Sequence, residues 1–399
     1  MSMFDAVELA PADPILGLTE AYNADTNPDK VNLGVGVYLD EEGRLPLLEC
    51  VRIAEQRLAE DAKPKAYLPI DGMPAYRDAV RELVFGPDSE ALKDNRVVTV
   101  ESIGGTGALK VGADLLKQMN PSATVLLSDP SWENHRALFT RAGFRVDTYR
   151  YYDAEAKGID FDGMLADLRR ADAGTIVVLH ACCHNPTGYD LSEQQWDRVM
   201  EVLRDRSLVP FLDMAYQGFG FGLERDGAVV NRFVEAGLEF FLSTSFSKSL
   251  SLYGERIGSL NIVTADEDAA KRTLSQVKIC IRTNYSNPAT HGAAIVTTVL
   301  TDPELRAKWN EELGEMRERI KKLRTGLVEK LEAKGITDMG FIAEQLGMFS
   351  YSGLAKPQMV TLRSEHGIYG TDSGRICVAA LNDDNLDAVA DAIAKVREA

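Results

Sequence analysis

Along the middle of the chain, short apolar runs end in small or polar residues: VVTVESIGG, ATVLLSDPS, TIVVLHACC, LVPFLDMAY and FFLSTSFS. Segments with apolar residues at helical spacing, among them GALKVGADLLKQM and SEQQWDRVMEVLRDR, lie between several of them. Buried strands alternating with helices predict an α/β domain built on a mainly parallel sheet. In such sheets ligands collect outside the carboxyl ends of the strands, where the polar ends of these runs fall.

Further along, Asp302 and Pro303 open an amphipathic pattern that runs through Leu305, Trp309, Leu313, Met316, Ile320, Leu323, Leu327 and Leu331 to Gly335. About 30 residues at 1.5 Å each make a helix of roughly 45 Å. That length suits a connection between two domains, with Gly314 or Gly326 as points where it would bend. The segment from FIAEQLGMFSYSGL to the end reads as a smaller α+β unit, and the weakly periodic N-terminal segment is expected to lie across other parts. The expected division is residues 1–45 as an N-terminal segment with part of the small domain, 46–310 as the large domain and 311–399 as the small C-terminal domain.

A chain of 399 residues has ample material for a buried core. No run approaches the ~20 apolar residues of a membrane span, and MSMFDAVELAPADP lacks the basic and apolar regions of a signal peptide. The five cysteines are few, odd in number and unpatterned, which fits a reducing compartment and a cytoplasmic protein. A net charge of −17 without a basic run argues against nucleic acid as a partner. Exposed charge is largely screened beyond about 8 Å at physiological salt, so a buried arginine can still decide which anion binds.

Lys248 changes this picture most. In STSFSKSLSLYGERIG it stands among hydroxyls and apolar residues, with Arg256 eight positions on. A free lysine has a pKa of about 10.4, so keeping it neutral and nucleophilic at pH 7 costs about 4–5 kcal/mol. Apolar surroundings and a nearby cation lower that cost, which suits a lysine that forms a Schiff base; a lysine whose stem packs and whose head reaches solvent is the plainer alternative. Eight extended residues span roughly 26 Å, so Gly254 and its neighbours must turn the chain for Lys248 and Arg256 to hold one ligand. Gly104, Gly105, Thr106 and Gly107 sit between a strand and a helix, where backbone N–H groups suit an anion or simply make a tight turn. Asp213 ends an apolar strand and needs a strong partner, either a protonated ring nitrogen or the cap of the next segment. HACCHNPTG invites a metal, but adjacent cysteines on a strand point to opposite faces and no companion C-x-x-C exists, so no metal is expected.

The segments GGTGAL, DPSWENH, HACCHNPTG, DMAYQGF, SFSKSLSLYGERIG, IRTNYSNP and SGRICVA stand together in the order and spacing of a known family. From DPILGL to the C-terminus the chain resembles the class I aspartate and aromatic amino-acid aminotransferases, which depend on pyridoxal 5′-phosphate. The resemblance implies fold type I of the pyridoxal-phosphate transferases, with a large cofactor-binding domain and a smaller α+β domain. It makes Lys248 the Schiff-base lysine and proton carrier, Asp213 the partner of the ring nitrogen, and Tyr216 and Asn185 donors to the ring oxygen. Trp132 would stack on the ring, with His135 and His180 behind Asp213. Gly105, Thr106, Ser245 and Arg256 would bind the phosphate, joined by Tyr67 from the other subunit of a homodimer. Arg375, with Gly36 and Asn185, would hold the substrate α-carboxylate, and Arg282 of the neighbouring subunit the distal carboxylate of a dicarboxylic substrate.

YLPIDG and FSLYGER look more like the tyrosine branch than the aspartate branch. Ile15, Leu16 and Val35 would then line a pocket that also takes Phe or Tyr. The expected activity is ping-pong transfer of an amino group from aspartate or an aromatic amino acid to 2-oxoglutarate. An enzyme confined to aspartate, a decarboxylase or lyase on the same fold, and a non-catalytic amino-acid-binding protein are the alternatives. Asp372, close in sequence to Arg375, leaves the charge of that pocket open.

Overall fold

The computed structural model describes residues 2–9 and 16–398; Ile15 and the side chain of Leu16, both named above, lie outside what is described. Seven strands form one sheet: β1 (Val97–Ile103), β2 (Thr124–Asp129), β3 (Arg145–Arg150), β4 (Ile176–His180), β5 (Val209–Met214), β6 (Phe240–Ser245) and β7 (Ile257–Val263). Their order is β1-β7-β6-β5-β4-β2-β3. From β3 through β2, β4 and β5 to β6 the neighbours run parallel, and β7 is antiparallel to both β6 and β1. The expected mainly parallel sheet is therefore present.

Two of these strands went unread in the sequence. β3, RVDTYR, is an edge strand with most of its side chains exposed, so it lacks the apolar run of a buried parallel strand. β7, IGSLNIV, is wholly buried although it contains Ser259 and Asn261. Their polarity is absorbed by a ladder across three strands: Thr99 Oγ1 donates to Asn261 Oδ1 (2.8 Å), Asn261 Nδ2 to Ser259 Oγ (2.8 Å), and Ser259 Oγ shares a hydrogen bond with Thr244 Oγ1 (2.6 Å).

Helix α1 (Gly104–Met119) packs on this sheet, where Ala108, Leu109, Val100, Phe211 and Leu260 belong to one buried cluster. Helix α2 (Glu267–Asn284) starts at Asp266, whose side chain accepts from Ala269 N (2.7 Å). Helix α3 (Pro303–Ala333) is capped by Asp302, which accepts from Glu304 N (2.9 Å) and Leu305 N (3.0 Å). It runs as one helix through Gly314 and Gly326, so the bends suggested by those glycines do not interrupt it.

The chain divides into two compact units. The larger, Leu45–Ile320 with Gln345–Met348, holds the seven-stranded sheet. The smaller comprises Met1–Arg44, Lys321–Glu344 and Phe349–Ala399. It is α+β in character: Val31–Asn32 pairs in parallel with Ile368–Tyr369, and Phe349–Tyr351 pairs antiparallel with Arg375–Cys377. Helices Lys356–His366 and Leu386–Glu398 complete it. Among the described residues, no helix is long and apolar enough to cross a membrane.

Candidate active site

The parallel strands deliver their carboxyl ends to one edge of the sheet. Gly104 follows β1, Ser131 and Trp132 follow β2, His180 ends β4, Asp213 lies one residue from the end of β5 and Ser245 ends β6. Because β7 runs the other way, its first residues arrive at the same edge, with Gly258 opposite both Ser245 and Ser102. Six strands thus bring hydroxyls, imidazoles and a carboxylate together from segments far apart in sequence.

Asp213 sits at the end of a directed chain of hydrogen bonds. Asn185 N donates to His180 Nδ1 (3.3 Å), and burial together with the neighbouring His135 holds the His180 pKa down at about 3, so this imidazole is neutral. Its proton therefore resides on Nε2, which contacts Ser131 Oγ (3.2 Å). The serine hydroxyl is then free to donate to His135 Nδ1 (3.0 Å), leaving His135 Nε2 to donate to Asp213 Oδ2 (2.9 Å). Burial pushes the Asp213 carboxyl up, but the His135 hydrogen bond, aided by the nearby Lys248 ammonium, outweighs it, and its pKa lies below the ordinary value. Asp213 is thus a buried carboxylate kept ionised. His135 and His180 were expected behind it; Ser131, which joins them, was not, because one serine in DPSWENH carries no signal of its own.

Lys248 and Tyr216 lie together, with Nζ 4.7 Å from the centre of the phenol ring, and Asn185 Nδ2 donates to Tyr216 Oη (3.4 Å). The segment that carries Lys248 is clamped from the long helix, since the fully buried Trp309 of α3 donates Nε1–H to Ser249 O (2.7 Å). It then folds back as the sequence required, although by other residues than expected. Ser251 (φ +55°) and Arg256 (φ +53°) take the left-handed backbone conformation and Gly254 does not.

The turn sets Arg256 beside the start of α1. A Cβ on Gly104 would lie 2.5 Å from Arg256 Nη2, and one on Gly105 would lie 3.4 Å from Ser245 Cβ. Arg256 Nη1 donates to Tyr253 O (3.1 Å) and to Ser247 Oγ (3.3 Å), and Ser245 Oγ meets Ser247 Oγ at 3.1 Å. A helix N-terminus, three hydroxyls counting Thr106 in its first turn, and a guanidinium make a cradle for an anion. Glu255 beside it is directed to His291 (3.0 Å). Ser247 is a further member that the sequence reading did not name.

The HACCHNPTG loop is fixed by Asp190, whose two oxygens accept from Cys183 N (2.7 Å) and His184 N (2.8 Å). Both cysteines lie beyond the end of β4, and Cys183 has φ +51°, so the strand rule that sends neighbours to opposite faces does not govern them. Their sulfurs and a carboxylate oxygen of Asp226 lie within 4.8 Å of one another, the histidines taking no part. Asp226 already accepts from Gly218 N, Gly220 N and Phe221 N at 2.8–2.9 Å. Burial contributes to raising the pKa of both thiols, and both are neutral. A carboxylate committed to three amides beside two protonated thiols is a packing arrangement.

The remaining expected residues stand in other settings. Arg375 is buried in the smaller unit, where Nη2 donates to Gly34 O (2.9 Å) and the guanidinium carbon lies 4.3 Å from the centre of the Phe349 ring. Gly36 is two residues from that carbonyl and half-buried. Asp372 is occupied by Arg363 (3.1 Å) and Lys356 (3.2 Å), so its charge is neutralised locally. Tyr67 is 94% exposed. Arg282, near the end of α2, is exposed and donates to Ser286 Oγ.

The chain is similar to known proteins along nearly its whole length. Residues 28–393 match the family described as aminotransferase class I and II. An aspartate aminotransferase of Pseudomonas aeruginosa is 59% identical over 99% of this chain and 100% of its own length. An aromatic-amino-acid aminotransferase of Escherichia coli is 48% identical, again over 99% and 100%. In structure, an aromatic-amino-acid aminotransferase of Burkholderia pseudomallei, crystallised covalently bound to pyridoxal phosphate, superposes with a TM-score of 0.97 at 62% identity, covering 99% of this chain and 100% of that one.

Proposed function

The chain belongs to the class I and II aminotransferases, and from that premise we propose that it transfers the amino group of aspartate and of aromatic amino acids to 2-oxoglutarate, alternating between two half-reactions on pyridoxal 5′-phosphate. The observation that carries the assignment of roles is an amine, Lys248, set against the Tyr216 ring and near enough to the buried, ionised carboxylate of Asp213 to help lower its pKa. The cofactor fits the donor set. An anion cradle (Gly105, Thr106, Ser245, Ser247, Arg256), a carboxylate suited to a ring N–H, and phenol and amide groups suited to a ring oxygen correspond to its three polar ends. When bound, pyridoxal phosphate supplies an aldehyde for attachment to an amine and a protonated ring that accepts electrons.

Lys248 would provide the attachment point for the cofactor, and its Nζ, when free, would be the base that takes up and gives back the substrate Cα proton. Asp213, kept ionised through His135, would hold the proton on the ring nitrogen. Tyr216 and Asn185 would donate to the ring oxygen, and Trp132 would stack on the ring. Arg375, with Gly36 and Asn185, binds the α-carboxylate, and the bidentate fork of Arg282 binds a distal carboxylate. Tyr67 and Arg282 act in the site of a second copy in a homodimer, a reading supported by the 94% exposure of Tyr67 and by apolar side chains left exposed at Leu47 and Ile279. Five buried free cysteines support a cytoplasmic setting.

A panel of amino acids added singly to the holoenzyme tests this directly. Aspartate, glutamate, tyrosine and phenylalanine should each convert bound pyridoxal phosphate to the pyridoxamine form, followed by absorbance, with one 2-oxo acid and no CO₂ released. Conversion by the dicarboxylates alone would confine the enzyme to aspartate and glutamate, and release of CO₂ would refute transamination.

A further inference from the structure

Beneath the Tyr67 loop lies a knot of charge that the reaction leaves unused. Asp71, four residues after Tyr67, is 4% exposed and carries two cationic partners. One is Arg77, on the helix Pro74–Phe85; the other is Lys278 Nζ of α2, at 3.4 Å. The Asp71 carbonyl accepts from Glu101 N of β1 (3.1 Å), and the Glu101 carboxylate accepts from Met73 N (2.9 Å), so both sides of Gly72 are tied to the same strand residue. Lys278 precedes Arg282 by four residues, about one helical turn on the same face.

A carboxylate this buried needs a partner, and Arg77 alone would satisfy that need. The second pair adds geometry: it fastens helix α2, near its end, to the loop that carries Tyr67. We propose that Asp71 is a positioning residue that ties the Tyr67 loop to the last turns of α2, so that one buried carboxylate sets the spacing between the side chain offered to the phosphate and the arginine offered to the distal carboxylate. The inference rests on the roles given above to Tyr67 and Arg282. It makes discrimination between dicarboxylic and aromatic substrates depend on residues that touch neither.

The test uses holoenzyme variants D71N and K278M, with R282A as a reference, in single-turnover conversion of aspartate and phenylalanine and in release of pyridoxal phosphate on dilution. K278M leaves Asp71 paired with Arg77 and removes only the tie to α2. It should weaken apparent aspartate binding about tenfold, with phenylalanine changed less than about twofold. D71N should do the same and also speed cofactor release about tenfold, because it loosens Tyr67 as well, and the double variant should be no worse than D71N. A merely structural ion pair would lower thermal stability without moving the ratio of the two substrates. If R282A favours phenylalanine while D71N and K278M leave both the ratio and the release rate unchanged, the tie is overturned and the assignment of Arg282 stands. If R282A impairs both substrates equally, it is the role of Arg282 that fails, and the tie is then judged by release alone: faster in D71N supports it, unchanged overturns it.

Discussion

Glu101 and Asp213 are both carboxylates on buried strands, and their surroundings move them in opposite directions. Asp213 has the hydrogen-bond chain of His135, Ser131 and His180 behind it and is held below its ordinary pKa. Glu101 has one backbone N–H and the more distant Arg77 to set against burial, and its pKa rises from 4.5 to about 7. The unfolded chain would release the Glu101 proton near 4.5 and the folded protein near 7, so in that window the folded state holds the extra proton and stability falls as pH rises. Above that window both states are ionised and the full cost, on the order of 3 kcal/mol, persists. E101Q keeps an acceptor for Met73 N and removes the titration. It should therefore melt at a higher temperature than the parent protein at pH 8, with the difference fading towards pH 5. An equal offset at both pH values would show that Glu101 does not titrate in this way.

At the scale of elements, β7 and α1 meet where the anion cradle begins. A Cβ on Gly258 would lie 2.4 Å from Thr244 O and 2.8 Å from the carbonyl carbon of Gly104, both backbone atoms with no rotamer to yield. G258A should therefore lower stability by about 1–3 kcal/mol and weaken phosphate binding by shifting the start of α1. Thermal unfolding and titration with pyridoxal phosphate would measure both, and unchanged cofactor affinity would show that β7 does not set the cradle. Strands with an unbroken apolar run, such as TIVVLH and LVPFLDM, were legible in the sequence because burial on both faces writes one chemistry into every position. β3 and β7 were not: one is an exposed edge, and the other buries polar residues whose partners sit on strands remote in sequence. The same limit applies to the turn after Lys248. Gly254 was the natural guess, yet the positive φ values fall at Ser251 and Arg256, where contacts such as Arg256 Nη1 to Tyr253 O hold a conformation that local preference disfavours. Site residues within the motif words that carry the family resemblance could be proposed from the sequence, whereas Ser131, Ser247 and Asp71 gain their importance only from neighbours that folding brings to them.

For the molecule as a whole, the account requires that each site borrow Tyr67 and Arg282 from a second copy. Mixing chains tests the exchange. A hybrid of one K248A chain and one R282A chain contains one site with both defects and one with neither. Unfolding and refolding an equal mixture should thus recover about a quarter of the native activity on aspartate, whereas an Arg282 that served its own chain's site would give no recovery. The net charge of −17 does not oppose this design, because the guanidiniums that meet substrate act at contact distance and bulk surface charge is screened by salt. Beneath all these roles lies the claim that the cofactor is tethered at position 248, and borohydride reduction of the holoenzyme followed by peptide mapping tests it most directly. The pyridoxyl group should be found on Lys248 in about one copy per chain; its recovery on another lysine, or on none, would contradict the account.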